Sequence, residues 1–190
     1  MEEQTILTFL GLAEKLKCNL RHSWTSSGRQ ESVAEHTYRL LVFAWLLQDV
    51  YPELDLKKML LLALFHDMGE AVTGDIPAFE KTRAHEETER KVLEQIPDLL
   101  PEPRKGELKD LFREMEENRT PEARLVKAMD KLEALIQHNE ADLSTWLPLE
   151  YDLQLTYGEK ETKDLPFMAA LRKKINRDTL DKVAAEKKED

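Results

Sequence analysis

Residues 32–50, SVAEHTYRLLVFAWLLQDV, open with a helix start and continue as one face of a helix. Ser32, followed three residues later by Glu35, has the form of a capping box, in which each side chain serves the other's backbone N–H. Leu40, Phe43 and Leu47 then recur at i, i+3 and i+7, the spacing of a buried helical stripe. The helix runs to about Val50 and Pro52 closes it. The same face carries His36, so that imidazole points toward the core.

The rest of the chain follows the same pattern. It holds 31 Leu against 12 Val and Ile together, and only six Gly in 190 residues. Leu is a strong helix former, whereas β-branched residues favour strands. No stretch alternates apolar and polar residues between turn signals, so the expected fold class is all-α. A first helix is expected from about Gln4 to Leu20, then a polar stretch over Arg21 to Glu31. A helix from Leu56 to Ala71 is followed by a turn at Gly74 and Pro77. Further helices are expected over Phe79 to Gln95, around Leu108, Leu111, Phe112 and Met115, and after Thr120-Pro121, an N-cap with Pro at the first helical position. That last helix carries Leu125, Met129, Leu132 and Ile136. The final one carries Leu165, Met168, Leu171 and Ile175. Without repeats or linkers, this reads as one domain over residues 1–178 with a charged, fraying tail over 179–190.

With 28 Lys and Arg against 38 Asp and Glu, the net charge is −10. Such a balance argues against a polynucleotide partner, though not against a small anion met by a metal or a few local cations. One cysteine, Cys18, allows no internal disulfide and no cysteine-based zinc site; it reads as a small packing residue. The longest apolar run, Met59 to Phe65, is too short to span a bilayer, and the first residues lack a signal peptide's pattern. The expected setting is the cytoplasm, with no membrane partner.

A lone histidine on an apolar stripe is ordinarily a hydrogen-bonded core residue, and His36 by itself carries no more than that. The next helix adds His66 and Asp67 together at a buried end, with Glu70 one turn on. Burying an unpaired carboxylate is costly, so Asp67 needs a cation, strong donors or a metal. An Asp–His hydrogen bond sealing two helices would also satisfy the pair. Asp130 borders the stripe of its own helix and has Lys127 and Lys131 as alternative partners. Two His and two Asp from three helices nevertheless match an N₂O₂ set for a divalent ion. His85 and His138 read as surface residues.

In that order, His36, then His66-Asp67, then Asp130, the chain resembles the HD-domain metal-dependent phosphohydrolases. The strings ESVAEH (31–36), FHDMGEAVTGDIP (65–77) and EARLVKAMDKLE (122–133) are similar to the 5′-deoxynucleotidase branch. The resemblance implies a helical HD-domain bundle with metal ligands His36, His66, Asp67 and Asp130, and with Glu70 and Asp75 as catalytic carboxylates. It implies substrate contacts from Arg21, through phosphate, and from Trp24, through the sugar, although the segment between Trp24 and His36 is shorter than in relatives. One divalent ion is expected (Mn, Co, Mg, Zn or Fe), since two-metal members use extra histidines and only His85 lies in the relevant interval. The implied activity is removal of the 5′-phosphate from a nucleoside monophosphate, preferably deoxy and with little base preference. Alternatives are a phosphodiesterase or pyrophosphohydrolase of a signalling nucleotide, or a non-catalytic nucleotide-binding module. The resemblance also implies a homodimer, for which Leu165, Met168 and Leu171 are the expected surface.

Overall fold

The computed structural model describes residues 1–186. These form α1 (Glu3–Cys18), β1 (Leu20–Trp24), β2 (Gln30–Ser32), α2 (Val33–Leu47), α3 (Leu56–Phe65), α4 (Glu70–Thr73) and α5 (Arg83–Gln95). There follow α6 (Arg104–Glu117), α7 (Pro121–Glu140), α8 (Glu150–Thr156), α9 (Glu159–Thr162) and α10 (Pro166–Glu186). The fold is a helical bundle with one small hairpin.

The start signals act as read. Ser32 caps α2 by a reciprocal capping box with Glu35. Asp55 accepts from the Lys58 N–H at 3.1 Å to start α3. Thr120 accepts from the Ala123 N–H at 3.3 Å, with Pro121 behind it, to start α7. The helices α2, α3 and α7 pack on one another and bury Leu40, Met59, Leu62, Leu125, Met129 and Leu132 completely. Each such side chain leaves water at a gain of about 1.5–3 kcal/mol. Across α7 lies α10, which contributes Met168 and Ile175 to the same core.

Four expectations change. The polar stretch after α1 is the antiparallel hairpin β1–β2, with Leu20 opposite Ser32 and Trp24 opposite Gln30. Four steps along β1 thus face two along β2, so β1 bulges. The helix expected from Leu56 to Ala71 stops at Phe65; His66 to Gly69 make a turn, and α4 begins afresh at Glu70. The Asn19 side chain donates to the Glu70 carbonyl at 2.5 Å and ties α4 to the end of α1. The charged tail is helical through Glu186, with Thr179 buried and Lys182 donating to the Asn139 and Ala141 carbonyls; residues 187–190 lie outside the described ones. Finally, Met168 is fully buried, while Leu165 and Leu171 pack against the core, so they offer no dimer surface. Exposed apolar side chains lie instead on α1, with Ile6, Leu7 and Leu10, and on α2, with Tyr38, Val42, Trp45 and Leu46.

Cys18 is exposed at the end of α1, not packed. No helix among the described residues is long and apolar enough to cross a membrane.

Leu62 joins α3 to the centre of the bundle. Leu62→Ala is expected to lower the unfolding free energy by about 2–5 kcal/mol, measured by urea denaturation, with helical circular dichroism retained in water.

Candidate metal centre and substrate cavity

Three helices converge on four side chains. His36 lies one turn into α2 and is completely buried. His66 and Asp67 sit in the turn that ends α3, and Asp130 lies midway along α7. From His36 Nε2 it is 3.3 Å to His66 Nε2, 3.2 Å to Asp130 Oδ1 and 3.7 Å to Asp67 Oδ2. From His66 Nε2 it is 2.9 Å to Asp67 Oδ2 and 3.9 Å to Asp130 Oδ1. Bonds of about 2.1 Å to a shared ion place neighbouring ligand atoms roughly 3.0–3.4 Å apart in octahedral or tetrahedral geometry. His36, His66 and Asp67 bring their ligand atoms close enough together to hold a divalent ion, and Asp130 Oδ1 reaches both imidazoles beside them.

Hydrogen bonding behind the cluster supports that fit. His66 Nδ1 lies 2.8 Å from the Ala63 carbonyl, which can only accept, so Nδ1 carries the proton. His36 Nδ1 contacts the Glu133 carboxylate in the same way. If both rings are neutral their Nε2 lone pairs face each other, which a proton on either Nε2 or a metal ion between them relieves. A carboxylate or carbonyl behind a ligating histidine is the usual way of fixing its tautomer.

Electrostatics tell the same story. Burial and Arg21 both work against a charged His36, yet the hydrogen bonds it donates to Asp130 and Glu133 raise it to about 9, so a proton can serve as the cation. Burial would raise Asp67, but the His66 charge and hydrogen bond hold it down at about 2. Asp130 is likewise held well below its ordinary value, against burial, by Lys131 and His36. Lys131 Nζ touches Asp130 Oδ2 at 2.8 Å and lies over the Tyr157 ring, 5.2 Å from its centre. The alternative partner named for Asp130 is thus present alongside the two histidines.

Glu70 starts α4 beneath this cluster. It is buried, and its Oε2 has no hydrogen-bond partner. Burial, then the charges of Asp67 and Asp75, push it up to about 10. Gly74, at φ 76°, reverses the chain after α4 and presents Asp75. Burial raises Asp75 as well, against the pull of Arg21 and a hydrogen bond from the His22 backbone N–H. Arg21 lies between these groups, with Nη1 3.7 Å from Asp67 Oδ2 and Nε 3.3 Å from Glu31 Oε2. Burial disfavours its charge, but Asp67, Asp75, Asp130 and Glu133 together keep it cationic.

One cavity is lined by Arg21, Asp67, Glu70, Asp75 and Asp130, and also by His22, Phe79, Lys81, Lys131, His138, Glu150 and Tyr157. Trp24 is not in its wall; its carbonyl accepts from Gln137 Nε2 at 2.7 Å. The register of β1 is irregular between Leu20 and Trp24, and Arg21, His22 and Ser23 line the cavity. His138 is no surface residue. It is buried, stacked on Trp146 at 4.0 Å, and lines the cavity. His85 is exposed and merely helps to cap α5.

Several cavity and supporting residues escaped the sequence. Glu133 lies three residues after Asp130 on the same helix face, a spacing that could have flagged it. Glu31 is buried beside it and pushed up to about 7 by burial, then by Glu133. Arg39 Nε, 3.6 Å from Glu133 Oε1, offsets this negative charge from outside. Glu150 and Tyr157 belong to the C-terminal third, where no motif marks them.

An HD-domain family profile matches residues 13–172. Human 5′-deoxynucleotidase HDDC2 is 37% identical over 145 residues, covering 72% of this chain and 68% of that protein. The 5′-deoxynucleotidase hdd1 of Schizosaccharomyces pombe is 34% identical over 160 residues, covering 75% and 80%. A solved structure described as a predicted metal-dependent phosphohydrolase from Magnetospirillum magnetotacticum MS-1 superposes with a TM-score of 0.74. It is 29% identical, over 92% of this chain and 93% of that one.

Occupancy of the cluster should appear as stability. Mn²⁺ at about a hundred times its dissociation constant is expected to add about 2.7 kcal/mol, a rise in melting temperature of roughly 5–10 °C. Asp67→Ala should abolish that rise in the same calorimetric scan, and an undiminished rise would remove Asp67 from the ligand set.

Proposed function

Since the chain belongs to the HD-domain family, we infer that it is a metal-dependent phosphomonoesterase that converts deoxynucleoside 5′-monophosphates to deoxynucleosides and phosphate. One observation carries the reading: Asp67 and Asp130, which reach the buried His36–His66 pair, line the same cavity as a cationic Arg21 and an unpartnered buried Glu70. His36, His66, Asp67 and Asp130 would hold the ion. When bound, it would polarise the phosphoryl group and acidify the attacking water.

The chain's own groups do the remainder. Arg21, anchored through Nε by Glu31, offers its outer guanidinium nitrogens to the phosphoryl oxygens and draws them toward Asp67's side of the cavity. Glu70, with Oε2 free of hydrogen bonds, and Asp75, held by the His22 N–H, divide the two proton transfers between them, one taking the proton of the attacking water and the other giving one to the departing 5′-oxygen. Both carboxyls need accessible neutral and charged forms, and burial moves both in the direction that makes protonation possible near neutrality. The deoxy preference is supported by the names of the relatives and not by Trp24, which is not among the cavity's lining residues.

The reading includes a single ion, a cytoplasmic setting and a homodimer. The single ion is supported by the two candidate ligand groups sharing His36, whose one ring they would both have to use. The exposed α2 face of Tyr38, Val42, Trp45 and Leu46 supports the homodimer.

Phosphate release from a panel of deoxy- and ribonucleoside monophosphates, cyclic nucleotides and nucleotides carrying two phosphates tests the activity. Deoxynucleoside monophosphates are expected to react fastest; turnover confined to cyclic or doubly phosphorylated substrates would contradict the reading. Glu70→Gln is expected to slow turnover about 10²–10⁴-fold while metal content, read by elemental analysis, stays at the wild-type level. Trp24→Ala should leave the ratio of rates on dAMP and AMP unchanged, whereas a lost deoxy preference would return Trp24 to the sugar.

A further inference from the structure

The arginine and lysine residues lining the cavity are Arg21, Lys81 and Lys131, and each has a carboxylate partner. Arg21 is anchored by Glu31 and reaches Asp67. Lys81 pairs with Glu89 of α5 at 2.6 Å. Lys131 differs, because its partner at 2.8 Å is Oδ2 of Asp130, one of the four residues assigned to the ion. The other oxygen of that carboxylate, Oδ1, faces the imidazoles, 3.2 Å from His36 Nε2 and 3.9 Å from His66 Nε2. One carboxylate thus turns one oxygen to the metal cluster and the other to an ammonium group.

Lys131 is held in place from the C-terminal third. Its ammonium stands over the Tyr157 ring, 5.2 Å from the centre. Gly158 follows at φ 70°, and a Cβ there would sit 2.9 Å from Lys131 Cβ, so the backbone between α8 and α9 runs directly against the lysine stem. Arg172 of α10 fixes that backbone by donating to the Tyr157 carbonyl at 2.9 Å and the Leu155 carbonyl at 2.5 Å. Only 24% of the Lys131 side chain is exposed, and it forms part of the cavity wall.

Support for a metal ligand does not account for this clamp. A cation behind a ligating carboxylate repels the ion and makes the ligand a poorer donor. The groups behind His36 and His66, a carboxylate and a carbonyl, do the opposite. Lys131 fits its place once an anion joins the ion. Asp67 and Asp130 balance a divalent ion, which leaves the negative charge of a phosphate monoester to other groups. Arg21 serves on the Asp67 side and Lys131 is placed to serve on the Asp130 side. An ammonium has three N–H donors; Asp130 takes one and Tyr157 at most one, so one is left for a phosphoryl oxygen. We propose that Lys131, clamped between Asp130, Tyr157 and Gly158, is a second phosphate-binding residue that shares the phosphoryl group with Arg21. The identity of the anion rests on the monophosphatase reading.

The test is Lys131→Met, which keeps an unbranched apolar stem against Tyr157 and removes the ammonium. In Mn²⁺-loaded protein, the dissociation constant for inorganic phosphate, read by titration calorimetry, is expected to rise about tenfold or more, as for a lost hydrogen bond to a charged group. KM for dAMP should rise with it. Mn²⁺ itself should bind at least as tightly as in wild type, because a repelling charge has gone. A melting curve shows that the variant folds, and Lys131→Gln carries the same test if it does not. Phosphate affinity within about twofold of wild type would overturn the assignment. Weaker Mn²⁺ binding would overturn it too, since Lys131 would then act only by supporting Asp130. Hydrolysis of monophosphates with undiminished phosphate binding in the variant would fail this inference alone. Phosphate binding lost in the variant, with no monophosphate hydrolysed by wild type, would fail the reading beneath it and leave the phosphate site standing.

Discussion

Two imidazole nitrogens 3.3 Å apart, both presenting lone pairs, set the terms for the centre of this protein. Glu133 and the Ala63 carbonyl have taken the other proton of each ring, so neither ring can rotate into a neutral hydrogen bond with the other. A positive charge must lie between them, with Asp67 and Asp130 completing its surroundings. In the metal-free protein a proton on His36, donated to Asp130 and Glu133, meets this need. The proposed divalent ion meets it better, because it satisfies both nitrogens and both carboxylates together. Everything behind the cluster maintains this demand: Arg39 steadies Glu133, Lys131 balances Asp130, and the packing of α2, α3 and α7 fixes the distances.

Because that packing is rigid, variation is left to the cavity wall. The break in the helix after Phe65 allows Glu70 to begin a separate short helix, tied to α1 through Asn19. From the irregular stretch of β1, Arg21 and His22 line the cavity, and the Trp24 carbonyl accepts from Gln137. The wall opposite is built from α7 and α8, so the C-terminal third shapes the cavity although it supplies no residue to the cluster.

How much of this could be read beforehand follows from the range of the interactions. Helix starts depend on neighbours three residues apart, so Ser32, Asp55 and Thr120 announce themselves, as does the apolar stripe carrying His36. The ordered histidines and aspartates were legible as a set because each lies on or beside such a stripe. The break after Phe65 was not, since Leu62 to Met68 contains no glycine or proline, and both His66 and Gly69 at the ends of the turn keep helical backbone angles. The bulge was hidden because a five-residue strand shows too little alternation. His138 looked like a surface residue because its partners, Trp146, Glu150 and Gln154, come from a segment without a motif. Leu165, Met168 and Leu171 form a stripe that sequence cannot assign to an internal or external partner; Met168, fully buried, shows that it faces inward.

The account stands most directly on where a divalent ion binds. Crystals grown with Mn²⁺, with anomalous differences collected at an energy where manganese scatters strongly, would locate it. A single strong peak bonded to His36 Nε2, His66 Nε2, Asp67 and Asp130 is the predicted result. A principal peak among Glu31, His36 Nδ1 and Glu133, whose ligand atoms also lie close enough together to hold an ion, would contradict the account. It would mean that Glu133 binds the ion itself and does not fix the tautomer of His36.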